Sequence, residues 1–348
     1  MIDAHPQVAI LPETHIYGVL DFLGGLRRFD NSWQYTLFLN EVWSNLAAYP
    51  DPAAAVLAEF AAELPNYEGP TKTVIEGMGQ AYARVRSANL WGEKTPGHAL
   101  WLQDIREMFP SAKIIVTVRD PRDVLVSYCQ RWNRGRFNSR FVMESAANIR
   151  FHLDCLRRAE FPPEQVHWIH YEYLTAEPEK VMRGVCRFLQ VDFFPQMLTF
   201  YESHQNIERE TPDGVHHRLL SGPVSRERVG LFRKAFEPPK LAMIEEFLIR
   251  EMAYLGYTPE AATILSPGPR ERRAKRRGVR CYTDICSGKI RKRQRDRMQL
   301  KTWLYRRFAR LLLRFPSTRL AVTSEDWRAR CERSAVKASR QFANAAAN

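Results

Sequence analysis

Three short segments hold residue types that could carry out chemistry together. The densest is Val118-Arg119-Asp120-Pro121-Arg122-Asp123, followed by Val124-Leu125-Val126-Ser127. Arg119 closes an apolar run, Asp120 is of a type that caps helices, and Pro121 suits a first helical position. A guanidinium at the carboxyl end of a strand, with the Ser127 hydroxyl about two turns into the next helix, makes a clamp for phosphate. The alternative is a plain helix start with solvated arginines, and the residues leave both readings open. The second segment is Trp91-Gly92-Glu93-Lys94-Thr95-Pro96-Gly97-His98. Lys94, held in a Gly/Pro-bounded loop, can offer a compact cation to a leaving oxyanion, although a loop lysine is often only a solvated charge. The third is His5-Pro6 with Pro12-Glu13-Thr14-His15. Glu13 could take a proton as a general base beside the His15 imidazole, or merely cap the helix that follows.

The elements that must position these groups can be read from the hydrophobic pattern. Lys113 to Val118 is a β-branched run with little alternation, which predicts a strand buried on both faces, as in a parallel sheet. Val166–His170 and Val8–Leu11 read as further strands. Pro178, with acids beside it, suits the head of a helix running to about Leu189. Helical stretches are expected from about Trp33 to Leu64 and from Thr71 to Ala88. Strand, helix and strand in this order predict an α/β layer architecture.

The chain has 348 residues and a formal net charge of +13, which at first suggests nucleic acid. Counting by segment removes that suggestion: from Gly268 onward there are 24 Lys+Arg against 6 Asp+Glu, while the first 267 residues carry 28 against 33. The shift falls at Ser266 to Pro269, which reads as a linker. The expected organisation is a domain over residues 1–265 and a basic tail over 266–348. The blocks Arg270–Arg277 and Lys289–Arg295 read as solvated charge runs that attract anionic surfaces. Around 299–315 a basic amphipathic helix is expected, with Leu300, Leu304, Phe308, Leu311, Leu312 and Phe315 on one face, able to lie on an anionic membrane or dock on the domain. The basic blocks lack interleaved aromatics, which argues against nucleic acid. Six cysteines with no CxxC pair suit a reduced cytosol. No apolar run approaches the roughly 18 to 20 residues of a membrane span. His204, His216 and His217 read as capping or solvated groups, Cys129 and Cys155 as core fillers, and Trp33, Trp43, Trp91, Trp101 and Trp132 as core packing.

In one order, HisPro…GluThr, GluLysThrPro and ArgAspProArgAsp…Ser resemble the sulfotransferases that use 3′-phosphoadenosine 5′-phosphosulfate. The likeness is to the bacterial and tyrosylprotein branch, and it spans Met1 to about Tyr257. It implies a three-layer α/β fold of the P-loop NTPase type, a parallel sheet flanked by helices, here followed by a basic helical or disordered C-terminal tail. It implies in-line transfer of a sulfuryl group to a hydroxyl or amine, without a metal. Carried over residue by residue, Glu13 matches the base, Lys94 a lysine near the transfer point, and His15 a position where the tyrosylprotein enzymes carry arginine. Arg119 and Ser127 match the pair that holds the donor's 3′-phosphate, Arg131 lies one turn beyond them, and Tyr171 matches a tyrosine lining the nucleotide site. Ser225 to Arg233, with Arg228 at its centre, resembles a loop that closes over the nucleotide; many bacterial relatives carry an arginine where Leu231 stands. The family's Gly-rich 5′-phosphosulfate loop would precede the segment matching Met1, so the chain is expected to begin late in the family domain. The rival expectation is a non-catalytic nucleotide-binding remnant whose tail associates with a membrane or a protein. The acceptor class (carbohydrate, peptide, lipid or small molecule) stays open, and the expected location is cytoplasmic, with the tail allowing peripheral membrane contact.

Overall fold

A computed structural model describes residues 1–23, 27–46, 52–203, 222–262 and 266–287. In chain order its first elements are β1 (Val8–Leu11), α1 (Ile16–Phe22), β2 (Arg28–Phe29), α2 (Ser32–Leu46), α3 (Ala53–Glu63), β3 (Gly69–Pro70), α4 (Thr71–Val85) and β4 (Leu90–Glu93). There follow α5 (Leu102–Met108), β5 (Ile114–Val118), α6 (Pro121–Trp132), α7 (Ser139–Arg158), β6 (Val166–His170), α8 (Tyr171–Ala176) and α9 (Pro178–Leu189). The last are α10 (Phe200–Ser203), α11 (Phe232–Ala235), α12 (Pro238–Tyr254) and α13 (Pro269–Cys286). These elements fall into two compact units, one drawn from Met1–His98 and Val191–Pro223, the other from Ala99–Gln190 and Val224–Gln294.

In the first unit β1 and β4 pair in parallel, with Leu11 opposite Glu93. The helix α4 covers this ladder so closely that a Cβ at Gly79 would lie 2.2 Å from Trp91 Cδ2, which is why the smallest residue stands there. Phe29, Phe38, Leu57, Val74 and Tyr82 are fully or almost fully buried between α2, α3, α4 and the antiparallel β2–β3 pair. His5 is structural: its Nε2 lies 2.7 Å from the Asp192 carbonyl, its Nδ1 accepts from Gln7 N–H, and its ring meets Phe194 edge-on.

In the second unit β5 and β6 pair in parallel, with Val118 opposite His170. β5 was expected to be buried on both faces, but only Val118 is buried and Thr117 is exposed. Among the described residues its one ladder is with β6, so the apolar run is half-covered. Helix starts follow local rules. Asp120 caps α6 by accepting from Arg122 N–H at 2.9 Å with Pro121 behind it, and Asn138 caps α7 by accepting from Phe141 N–H at 2.9 Å. The core lies between α6, α7 and α12, around Leu125, Met143, Ala146, Met243 and Leu248.

The charge run from Arg270 departs from expectation. It is helix α13, begun by Gly268 and Pro269 and packed along α7, where a Cβ at Gly278 would meet Met143 Cε at 2.9 Å. Lys275 pairs with Glu246 at 2.6 Å, Arg277 pairs with Glu144 at 2.8 Å, and Tyr282 donates to Asp154. Periodicity explains the difference: Ala274, Gly278, Cys281, Tyr282 and Ile285 recur at helical spacing and make a narrow packing face within the arginines. Trp132 also departs from the expected core role, being 57% exposed. His204, His216, His217 and residues 289–315 lie outside the described residues. Among the described residues no helix is long and apolar enough to cross a membrane, and no group of three or more His, Cys, Asp or Glu is placed to hold a metal ion.

Candidate active site

The two parallel ladders place the candidate residues by register. Leu11 faces Glu93 at the carboxyl ends of β1 and β4, so the residues that follow, Pro12–His15 and Lys94–His98, leave the ladder side by side. The crevice beyond the carboxyl ends of parallel strands is where α/β proteins bind ligands. Lys94 Nζ donates to Glu13 Oε1, and His15 Nε2 lies 3.8 Å from Glu13 Oε2. The first unit therefore gathers a carboxylate, an ammonium and an imidazole, all partly open to solvent.

Beneath that trio lies a residue to which the sequence reading gave no role. Glu93 Oε1 accepts from Thr14 N–H (3.2 Å), the Thr14 hydroxyl (2.5 Å) and the Thr95 hydroxyl (2.6 Å), while His98 Nδ1 lies 2.7 Å from its Oε2. Burial alone would push the Glu93 carboxyl up, but His98 and the two hydroxyls outweigh it and hold the group below its ordinary value. The signal available in the sequence was Thr95 and His98 just after the glutamate, and it becomes meaningful only once the pairing of β1 and β4 brings up Thr14 from 79 residues away.

In the second unit the register Val118 opposite His170 sets Arg119 beside Tyr171. The Arg119 guanidinium lies over the Tyr171 ring at 4.7 Å, its Nη2 donates to the Arg228 carbonyl, and Asp123 Oδ2 is 3.6 Å away. Arg119 Nε is buried without a hydrogen-bond partner, and Ser127 stands half-buried on α6. Arg228 reaches back to α6, donating from Nη1 to Gln130 Oε1 at 2.9 Å. Arg131 lies over the Trp132 ring at 5.2 Å.

Asp123 was not singled out from the sequence, yet it holds the loop carrying Arg228. Its carboxylate, 1% exposed, accepts from Gly230 N–H at 2.7 Å and Phe232 N–H at 3.0 Å. Burial raises its pKa, while the two N–H donors and Arg119 pull the other way. Gly230 stands at φ +76, a left-handed conformation that only glycine adopts freely. Arg122, three residues from Arg119, is buried and structural. It makes a fork with Asp120, donates from Nη1 to Glu245 Oε1 at 2.5 Å, and covers Phe232 at 3.9 Å. Glu172, next to Tyr171, accepts from Asp120 N–H at 2.9 Å and from the Tyr257 hydroxyl at 2.7 Å. That tie fixes the start of α8 to the start of α6.

Short parallel strands flanked by helices, with charged residues gathered past their carboxyl ends, agree with the α/β sulfotransferase fold of the family whose model matches the chain. The chain belongs to the Sulfotransferase family, whose model matches residues 1–195. It is 24% identical over 208 residues to a Caenorhabditis briggsae protein named "Putative protein-tyrosine sulfotransferase", a match covering 58% of this chain and 63% of that relative. A Caenorhabditis elegans protein of the same name is 26% identical over 204 residues, covering 57% of this chain and 67% of the relative. The chain thus spans about two thirds of the length of the curated relatives it matches. Among solved structures, the sulfotransferase domain from the curacin biosynthetic pathway aligns over 74% of this chain and 92% of its own, with 19% identity and a TM-score of 0.45.

Proposed function

We propose that this protein transfers a sulfuryl group from 3′-phosphoadenosine 5′-phosphosulfate to an acceptor hydroxyl or amine. The observation that carries the reading is the meeting of Glu13, Lys94 and His15 just past the paired ends of β1 and β4. In this reading Glu13 removes the acceptor's proton, and the freed lone pair attacks sulfur. The bond from sulfur to the donor's phosphate oxygen breaks, and the Lys94 ammonium stabilises the charge left on that oxygen. His15 offers a second polar contact beside the base.

Taken by itself, the second unit holds a group suited to an anion such as the donor's 3′-phosphate. Arg119 has an unpaired buried N–H and is backed by the Tyr171 ring, and the half-buried Ser127 adds a hydroxyl about two turns into α6, so the residues present fit an anion with several acceptor oxygens. Arg228 belongs to the loop that Asp123 anchors beside Arg119, and Arg131 adds positive charge one turn further along α6. Membership of the family implies a sulfate acceptor, and its class is left to experiment.

The test has two arms. Adenosine 3′,5′-bisphosphate binding, measured by calorimetry, is expected to weaken at least tenfold in Arg119→Ala; unchanged affinity would remove the clamp. Transfer from sulfur-35-labelled donor, screened over carbohydrate, peptide, lipid and small-molecule acceptors, is expected to be lost in Glu13→Gln, since a positioned base contributes about 10²–10⁴-fold. Full transfer by Glu13→Gln would exclude Glu13 as the base.

A further inference from the structure

We infer that Glu93 is a positioning residue, a buried carboxylate that sets the geometry of the Glu13–Lys94 pair without touching a substrate. The inference rests on the proposed roles of Glu13 and Lys94, and it extends them to a residue beneath the surface trio.

The two loops that carry the trio come from chain segments about eighty residues apart, Glu13 lying 81 positions from Lys94. Beyond the last rung of the β1–β4 ladder no backbone pairing joins them, because Leu11 opposite Glu93 is the final register pair. The Glu93 side chain takes over there. On one side it accepts from the N–H and hydroxyl of Thr14, the residue between Glu13 and His15. On the other it accepts from the hydroxyl of Thr95, the residue after Lys94, and meets His98 Nδ1 at 2.7 Å. Both neighbours of the reacting groups are thus tied to one carboxylate.

The tie reaches the backbone. The Thr95 hydroxyl, while donating to Glu93, accepts from His15 N–H at 3.3 Å. His15 stands in the left-handed region at φ 54, ψ 23, a conformation that costs a non-glycine residue energy and persists only where the surroundings dictate it. Here the surroundings are the Thr95 contact and the fully buried Thr14, whose carbonyl accepts from Asn45 Nδ2 at 2.9 Å. The backbone turn that aims Glu13 and His15 outward therefore hangs on Glu93. The Glu93 side chain is 10% exposed and the Lys94 side chain 65%, so the clamp is inside while the pair it aligns is at the surface. The three groups bonded to Glu93 Oε1, the Thr14 N–H and the Thr14 and Thr95 hydroxyls, all donate, and the His98 ring nitrogen lies 2.7 Å from Oε2, a setting that favours a carboxylate over an amide.

The test uses the full chain and reads Lys94 directly. Trace acylation with acetic anhydride, followed by peptide mass mapping, reports how tightly each lysine is held. Glu13→Gln sets the rate for a released Lys94. Glu93→Gln is expected to raise Lys94 labelling toward that rate, by about two- to fivefold for an exposed ion pair, with Lys113 and Lys180 unchanged. Thr95→Val, which cuts the link to His15 with a near-isosteric side chain, is expected to move Lys94 in the same direction and decides the matter should Glu93→Gln fail to fold. With an acceptor in hand, kcat is expected to fall about 10- to 100-fold in Glu93→Gln, as a misplacement of about 1 Å does, while affinity for adenosine 3′,5′-bisphosphate stays as in wild type. Lys94 labelling equal to wild type in folded Glu93→Gln and Thr95→Val overturns the inference, as does a uniform rise across all lysines, which would mark Glu93 as a support of the fold at large. A wild-type chain silent toward every acceptor would instead sink the sulfuryl-transfer reading, and the labelling comparison would still stand.

Discussion

Arg119 and Arg122 stand in one motif, and replacing each by alanine is expected to have opposite consequences. Arg122 is 3% exposed and bridges Asp120, 8% exposed, and Glu245, which is fully buried. Removing one partner of a buried ion pair costs about 3–5 kcal/mol, since the charge left behind is uncompensated. Two features pull the cost toward the lower end. Glu245 keeps N–H donors from Glu260, Ala261 and Ala262 at 2.7–2.9 Å, and Asp120 keeps the Arg122 N–H at 2.9 Å. The lost guanidinium contact on Phe232 at 3.9 Å, worth up to about 2 kcal/mol when desolvated, pushes it back up. The net expectation is about 4 kcal/mol, or a fall in Tm of about 8–16 °C at roughly 2–4 °C per kcal/mol. Arg119→Ala leaves Asp123 with both of its N–H donors and is expected to cost less than about 1.5 kcal/mol. Differential scanning calorimetry of the two variants, paired with adenosine 3′,5′-bisphosphate titrations below both transitions, separates the roles. The reasoning is refuted if Arg122→Ala melts within about 2 °C of wild type, or if it abolishes binding while still fully folded.

Three further expectations follow from the geometry. Because Glu93 is held below its ordinary value of 4.5, the stabilisation it contributes is full above that pH and is lost as the pH falls through its lowered folded value; the urea-midpoint gap between wild type and Glu93→Gln should narrow on acidification, and a constant gap would contradict this. Burial pushes the Cys129 thiol up to about 11, so alkylation at pH 8 should mark the exposed Cys286 first and reach Cys129 only on unfolding; early labelling of Cys129 counts against the packing of α6. Gly79→Ala drives a methyl into Trp91 at 2.2 Å and should destabilise the first unit by about 1–3 kcal/mol, read as a lowered urea midpoint; a neutral result would show that α4 does not press on β4 as described.

Local chemistry made much of the scaffold legible. Val8–Leu11 and Val166–His170 form the strands their β-branched and apolar runs predicted, and Lys113–Val118 differs only by its first residue. Asp120-Pro121 and Glu177-Pro178 open helices because capping and proline preferences act within a single turn. Less legible was β4 itself: the Gly/Pro-bounded loop around Lys94 is readable, but Gly92 and short length hide the strand Leu90–Glu93 before it, which long-range pairing with β1 supplies. The arginine run after Pro269 was misread for a related reason, since its small and aromatic residues acquire meaning only against α7.

The sequence alone determined which groups are available and in what order: a carboxylate, a lysine and an arginine–serine pair, each just past a short apolar run. It could do so because strand and helix signals act over a few residues. Only the tertiary structure decided which of them meet. Pairing across some eighty residues brings Lys94 to Glu13 and turns Glu93 into the clamp beneath them. Burial divides two chemically identical arginines, setting Arg119 on Tyr171 beside an anchored loop and committing Arg122 to Asp120 and Glu245. A side chain's role depends on its desolvation and its partners, and both are properties of the folded chain rather than of the local motif.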